Sequence, residues 1–337
     1  MNFDYTDDQQ AIKSTAKEFL AARYKPEKVR PLAEAGEYDD ALWKEMSELG
    51  WPGIFVDEQH GGQGLGSLEL GILQEEMGFA LAPSPFFSNA AAGLMLQHSG
   101  SDAQRERWLP GIASGESRGT VGVLREGSAL VPDADSAAVI VLVDGESASV
   151  IEAGEAEVQA VDTIDSTRRF SRVTANGGEE LAGDPEDGLD RIEVALAAEL
   201  TGVAQRTMEM AVEYARERQQ FGRPIGAYQA VSHRCAEMLL EVEGARSTTL
   251  YGGWAADNEP ESLPLAASMA KAYAADAGWR VSASALQVHG GIGFTWEHDL
   301  HFFLKRAKVD GHLFGSPREH RDRVAELSGL AKAAAPA

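Results

Sequence analysis

The stretch Arg216-Glu217-Arg218-Gln219-Gln220-Phe221-Gly222-Arg223-Pro224-Ile225-Gly226-Ala227-Tyr228-Gln229 ends one long helical pattern, turns at a glycine and a proline, and opens another. Cations at a helix C-terminus complement its dipole, which alone accounts for Arg216 and Arg218. The functional alternative is that the guanidinium groups and the exposed turn backbone hold a phosphate-bearing ligand. Upstream, from about Leu189, the residues Ile192, Ala195, Leu196, Val203, Met210 and Tyr214 fall on one helical stripe. Downstream, the spacing predicts helices over about 230–257, 265–288 and 318–330, with a frayed, disordered tail at 331–337. Long helices of this kind form an antiparallel bundle. The third of them runs into Gln287-Val288-His289-Gly290-Gly291-Ile292-Gly293-Phe294, whose glycines let a backbone come close to a pyrophosphate or simply cap a helix and turn. No strand precedes this run, so it is not a Rossmann fingerprint.

Working back from the bundle, the texture between Gly119 and Ala182 is β-like. Val139-Ile140-Val141-Leu142-Val143 runs into the turn Asp144-Gly145, and Val158, Val161 and Arg172-Val173-Thr174 suggest further short strands. Residues 144–190 hold 13 acidic residues against three arginines, which gives this part a solvated negative face. Before it, Thr6 and Gln9 form a capping box ahead of Ile12, Ala16, Phe19 and Leu20. Helices are expected over 41–49, closed by Gly50, and from about Leu68 to Phe79, after a glycine-dense loop. A fourth starts behind Ser101 and stops at Pro110. The fold class is therefore mainly α with a small β domain: a helical domain at 1–115, a reduced β domain at 116–188 and a helical bundle at 189–330.

The chain has 337 residues and a formal net charge of −23. Nucleic acid or an anionic membrane surface would be repelled over most of such a protein. The lone Cys235 excludes an intrachain disulfide and any multi-cysteine metal site, and no metal centre is expected. The opening MNFDYTDDQQ lacks the basic and apolar stretches of a signal peptide, and no run approaches a membrane span, so a cytoplasmic protein is expected.

Taken in order, these segments resemble the acyl-CoA dehydrogenase family over nearly the whole chain. Leu42-Trp43-Lys44-Glu45, Leu49-Gly50-Trp51, Glu58-Gln59-His60-Gly61-Gly62-Gln63-Gly64 and Glu75-Glu76-Met77-Gly78 are similar to the family's N-terminal motifs. Arg218-Gln219-Gln220-Phe221-Gly222, with Pro224-Ile225 and Gln229-Ala230, resembles its arginine–phenylalanine–glycine signature, and the run from Gln287 to Gly293 its glutamine–glycine motif. The resemblance implies a helical domain, a β domain and a C-terminal four-helix bundle, usually in a dimer of dimers. It implies FAD as cofactor and removal of two hydrogens from the α and β carbons of an acyl-CoA: a glutamate takes the α proton and flavin N5 accepts a hydride. Carried over, Arg218, Gln220, Phe221, Gln229, Gln287, Gly290 and Gly291 would hold the adenosine-diphosphate half of a neighbouring subunit's FAD.

Three departures qualify it. The family's usual base lies in a glutamate–glycine–threonine motif, and Lys305-Arg306-Ala307-Lys308 aligns that region on Phe314-Gly315-Ser316, so Phe314 stands in the base position. A minority of members place the base on the long bundle helix; counted back from Gly202 this is Ile192. The β segment has neither the threonine–glutamate–proline–glycine nor the tryptophan–threonine segment that holds the flavin ring, and no Trp at all. Glu199, seven residues after Ile192 and nearly on the same face, is the nearest substitute base, although an inward carboxylate is more often satisfied by an arginine; Glu193 is weaker. His289 and His312 read as hydrogen-bonding structure beside turns, and Phe302, Phe303, Trp296 and Tyr228 as core or interface aromatics.

The chain thus resembles the short subunits of heteromeric bacterial acyl-CoA dehydrogenases of steroid side-chain β-oxidation. A longer partner in a heterotetramer would carry the catalytic glutamate, and an electron-transfer flavoprotein or similar acceptor would take the electrons. The alternatives are a homo-oligomeric enzyme with Glu199 as a relocated base and a non-enzymatic scaffold.

Overall fold

A computed structural model describes residues 4–175 and 177–330; the tail expected at 331–337 lies outside them. Helix α1 (Asp7–Arg23) begins with the expected capping box: Thr6 Oγ accepts from the Gln9 amide at 3.2 Å and Gln9 Oε1 from the Thr6 amide at 3.0 Å. It is followed by α2 (Pro26–Ala35), α3 (Asp40–Glu48), α4 (Ser67–Ala80), α5 (Phe86–Ser99) and α6 (Asp102–Ser114). Gly50 follows α3 at φ +74°, where a glycine carries no Cβ penalty.

The spacing missed α2 and α5, and it misplaced the end of α6. Helix α2 carries Pro31 inside it, a residue that reads as a breaker. Helix α5 is buried almost all round, from Phe86 through Leu96, so no apolar stripe exists for a periodicity to find. Pro110 does not stop α6: the helix runs four residues further to Ser114 and closes at Gly115, φ +74°. Burial of Leu109, Ile112 and Ala113 outweighs the one hydrogen bond that proline removes.

Two units divide the described residues: one takes 4–30, 71–82 and 196–330, the other 31–70 and 83–195. The second holds the two larger sheets. Strands β1 (Gly119–Val123), β3 (Val139–Asp144), β4 (Ser147–Glu152) and β7 (Glu179–Glu180) form one sheet, with β1 and β3 parallel. Strands β2 (Ala129–Pro132), β6 (Phe170–Thr174) and β5 (Glu157–Val161) form an antiparallel sheet in that order. Val131, Ile140, Leu142, Ile151 and Val173 share a core. After β2, the buried Asp133 accepts from Tyr38 and Ser88, and burial pushes its carboxyl pKa up.

The first unit is the bundle: α7 (Pro185–Glu217), of which residues from 196 belong here, α8 (Gln229–Asn258), α9 (Leu263–His289), α10 (Leu300–Asp310) and α11 (Pro317–Leu327). Of these α10 was not expected. Helices α4 and α7 touch backbone to backbone: a Cβ on Gly202 would lie 1.9 Å from Glu75 O, and one on Gly78 would lie 2.1 Å from Glu199 O. Among the described residues, no helix is long and apolar enough to cross a membrane, and no group of three or more His, Cys, Asp or Glu is placed to hold a metal.

Candidate functional site

The two ligand-suspect segments are joined through residues far apart in sequence. Near the end of α7, the Tyr214 ring stacks on His289 at the end of α9, centroids 4.4 Å apart and planes 22° apart. His289 is buried, its Nδ1 lies 2.8 Å from Ala285 O, and the His298 ring packs on it at 4.6 Å. Burial lowers the His289 pKa, so the ring is a neutral structural element, as its sequence context suggested. His312 has the same kind of contact, Nδ1 to Lys308 O at 3.1 Å.

Beyond Glu217 the chain makes a two-residue hairpin, β8 (Gln219–Gln220) with β9 (Arg223–Pro224), pairing Gln219 with Pro224 and Gln220 with Arg223. Phe221 and Gly222 at its tip sit at φ +53° and +80°, the signature of a type I′ turn. The left-handed region is costly for an aromatic residue, and here it points a ring that is 92% exposed outward. Tyr228 braces the hairpin: its hydroxyl donates to Gln220 O at 3.2 Å, and the Arg223 guanidinium lies 4.0 Å over its ring. Ile225 N–H closes the base onto Arg218 O at 2.8 Å.

Of the seven expected cofactor residues, Arg218, Gln220, Phe221, Gln229, Gln287 and Gly291 are exposed and Gly290 is half-exposed. Among the described residues no carboxylate lies within ion-pair distance of Arg218, in a chain with 23 more acids than bases. A Cβ on Gly290 or Gly291 would meet nothing within 4 Å. Phe294, beside them, is 73% exposed. The face therefore offers an unpaired guanidinium, bare backbone and two outward aromatic rings. These suit a dinucleotide's diphosphate and its flat base. Sequence order found the segments; the Tyr214–His289 stack that joins them was beyond it, Tyr214 having read only as a stripe residue.

The two positions expected for the base hold no proton acceptor. Phe314 sits at φ +57° in the loop 311–316, which is held by its backbone. The fully buried Lys271 donates to Gly311 O and Gly315 O, each at 3.2 Å, and His320 Nε2 donates to Phe314 O at 3.0 Å. Burial and the nearby Lys271 charge lower the His320 pKa to about 4. Ile192 is fully buried. Glu199 does point inward, but Arg306 Nη1 meets its carboxylate at 2.5 Å, with both residues almost completely buried. The weak candidate for a relocated base is thus one half of a buried ion pair. Of the aromatics read as core or interface, Phe302 and Phe303 are buried, whereas Trp296 is 55% exposed and stacks on His301 at 4.5 Å.

The acyl-CoA dehydrogenase N-terminal domain model matches residues 6–116 and the C-terminal domain model residues 186–328. The chain is 34% identical over 325 residues to the acyl-CoA dehydrogenase IpdE2 of Mycobacterium tuberculosis, covering 93% of this chain and 95% of that protein. A Tcur3481–Tcur3483 steroid ACAD variant superposes with a TM-score of 0.88 at 25% identity, covering 97% of this chain and 99% of the other. The ChsE4–ChsE5 complex from Mycobacterium tuberculosis superposes with a TM-score of 0.86 at 24% identity over the full length of both chains, a likeness of fold. On both family models and on full-length relatives, this chain belongs to the acyl-CoA dehydrogenases, a family of FAD-dependent oxidoreductases that act on acyl-CoA thioesters.

Proposed function

We propose that this chain is the short subunit of a heteromeric, cytoplasmic acyl-CoA dehydrogenase and lends an adenosine-diphosphate clamp to FAD bound with a longer partner. One observation carries this reading: the residues expected to clamp the cofactor are turned outward, while the positions expected for the base hold the hydrocarbon side chains of Phe314 and Ile192. In this reading Arg218 makes a charge-assisted contact to the diphosphate, and Gln220, Gln229 and Gln287 donate to its polar groups. Phe221 covers the adenine, and Gly290 and Gly291 bring backbone close. FAD, when bound, supplies the hydride acceptor; the partner's glutamate would take the α proton, and an electron-transfer flavoprotein or similar acceptor would reoxidise the complex. The segments 1–115, 116–188 and 189–330 then keep the family's three-part order with a reduced middle. The likeness to IpdE2 and to a steroid ACAD favours an acyl-CoA of steroid side-chain β-oxidation as substrate.

The competing reading, a self-sufficient enzyme using Glu199, is disfavoured by the Arg306 contact, which already occupies that carboxylate. The scaffold reading is disfavoured because a scaffold has no use for an intact clamp. Expression alone and with a candidate partner separates them by mass, absorbance and turnover with an artificial electron acceptor. The expected result is an inactive lone chain and a yellow heteromer with fewer flavins than chains. One tightly bound flavin per chain in an active homo-oligomer would overturn the proposal.

A further inference from the structure

Within the bundle unit lies a cavity of about 280 Å³, walled by α1 and the turn after it, the end of α4, the middle of α7 and α10. Its walls are apolar, with Leu20, Phe79, Met210, Phe302 and Phe303 facing in. Its lip carries three cations, Lys17, Lys25 and Arg206. Arg206 lies over the Phe79 ring at 5.5 Å. Among the described residues none of the three has a carboxylate within ion-pair distance. The two carboxylates that line the same cavity are already engaged: Glu76 by Lys13 at 2.7 Å and Asp299 by Arg30 at 2.5 Å. In a chain of net charge −23, three unpaired cations around one apolar hollow form a local inversion of charge, and nothing inside the unit neutralises it.

We infer that this cavity binds a small amphipathic anion, an apolar body of about ten carbons ending in a carboxylate. A neutral hydrocarbon would use only the walls, and inorganic phosphate only the lip. A medium-chain carboxylate uses both: the chain enters between the Phe and Met side chains, and the head group meets Arg206 and the two lysines. The size agrees. An apolar cavity of 150 Å³ takes benzene, roughly 25 Å³ per carbon, so this one has room for about eleven carbons. A free acid and the carboxylate end of a larger molecule share this chemistry, and chain length distinguishes them.

Titration calorimetry of the full chain with decanoate tests the inference directly and needs no flavin and no turnover. Decanoate should bind with a sub-millimolar Kd, decanol at least about tenfold more weakly and phosphate not at all. Arg206→Met should weaken decanoate at least about tenfold, the loss of one charge-assisted contact, while Arg206→Lys stays within a few-fold. Ala80→Trp should block the cavity, and melting curves of each variant show that the fold is kept. Hexanoate binding weakly and hexadecanoate no better than decanoate would match a closed hollow for a free acid; affinity still rising at hexadecanoate would assign the site to the end of a larger molecule. No heat with millimolar decanoate overturns the inference. So does binding that decanol reproduces, or that Arg206→Met leaves unchanged.

Discussion

Replacing Arg306 by methionine isolates the question of what Glu199 does. The two side chains meet at 2.5 Å and are 1% and 2% exposed, so removal of either leaves a charge in the interior with no replacement solvent. Breaking a buried pair from one side costs about 3–5 kcal/mol, whereas replacing both partners by apolar groups of similar volume is often close to neutral. Arg306→Met is therefore expected to lose about 3–5 kcal/mol of stability, Glu199→Leu a similar amount, and the double variant no more than about 2 kcal/mol. The coupling energy, at least about 4 kcal/mol, would be far above that of independent sites. Urea unfolding followed by circular dichroism at one fixed protomer concentration measures all four corners of the cycle. A single variant losing under about 1 kcal/mol, or a double variant losing the sum of the two, would refute the reasoning. The same pair decides catalysis in the assembled enzyme. A structural Glu199 can be changed to Gln with kcat kept within a few-fold once the protein is folded, whereas removal of a general base costs about 10²–10⁴-fold.

Three further outcomes follow from geometry. Gly202→Ala puts a methyl group 1.9 Å from Glu75 O and 2.7 Å from Phe79 N, both backbone atoms that cannot step aside, so a loss of about 3 kcal/mol or more is expected; Gly71→Ala, whose Cβ has its nearest neighbour at 3.9 Å, should be neutral or slightly stabilising by helix propensity, and thermal melts compare the two. Arg218→Ala in the heteromer should weaken FAD by about 1.5–3 kcal/mol, roughly 10–150-fold, seen as flavin release at limiting FAD; unchanged flavin content would sink the clamp assignment. His320 has a folded pKa lowered to about 4, so between about pH 6.5 and 4 the unfolded chain takes up a proton that the folded chain does not, and stability falls with pH over that window by up to about 3 kcal/mol; His320→Asn, read by urea midpoints at pH 7 and pH 4.5, should flatten that fall.

What the sequence conveyed and what it hid divide along physical lines. Helix starts written in local hydrogen bonds were legible: Thr6 with Gln9, and Ser101 with Gln104, both cap as their spacing implies. Helices α7 and α8 were legible because buried residues such as Val203, Ala204 and Ala211, and Met238, Val242 and Ala245, recur at helical spacing. Helix α5 was not, because burial on every side erases the pattern. The end of α6 was misplaced because proline's local penalty was weighed without the core that Ile112 and Ala113 reach beyond it. At the site, the residues of the proposed clamp could be named from their order along the chain, but the contact that joins their two segments, Tyr214 on His289, is tertiary and has no local mark. The inward direction of Glu199 followed from helical phase; its partner Arg306, on a helix that was not expected, did not.

If Phe314 stands where the family's base would, as proposed, the loop around it shows how such a position can be emptied without loss of the fold. Every contact described above that fixes this loop goes to backbone: Lys271 to Gly311 O and Gly315 O, and His320 to Phe314 O. Gly315, at φ +109°, makes the turn, and a Cβ there would lie 2.6 Å from His320 Nε2. Ser316 then caps α11 with Glu319. None of these contacts involves the side chain at 314, so exchanging a carboxylate for a benzyl group there removes a proton acceptor and leaves the loop's supports in place. The proposed clamp is built the other way round. Its value lies in exposed groups, a left-handed Phe221 and an unpaired Arg218, which cost the isolated chain stability or leave it unchanged. A chain that had merely decayed would be freed from the costly feature first and would keep the harmless one. On the proposed reading the costly outward face is kept while the base and the flavin-ring segments are gone, which is the pattern expected when the ligand and the proton acceptor come from another subunit.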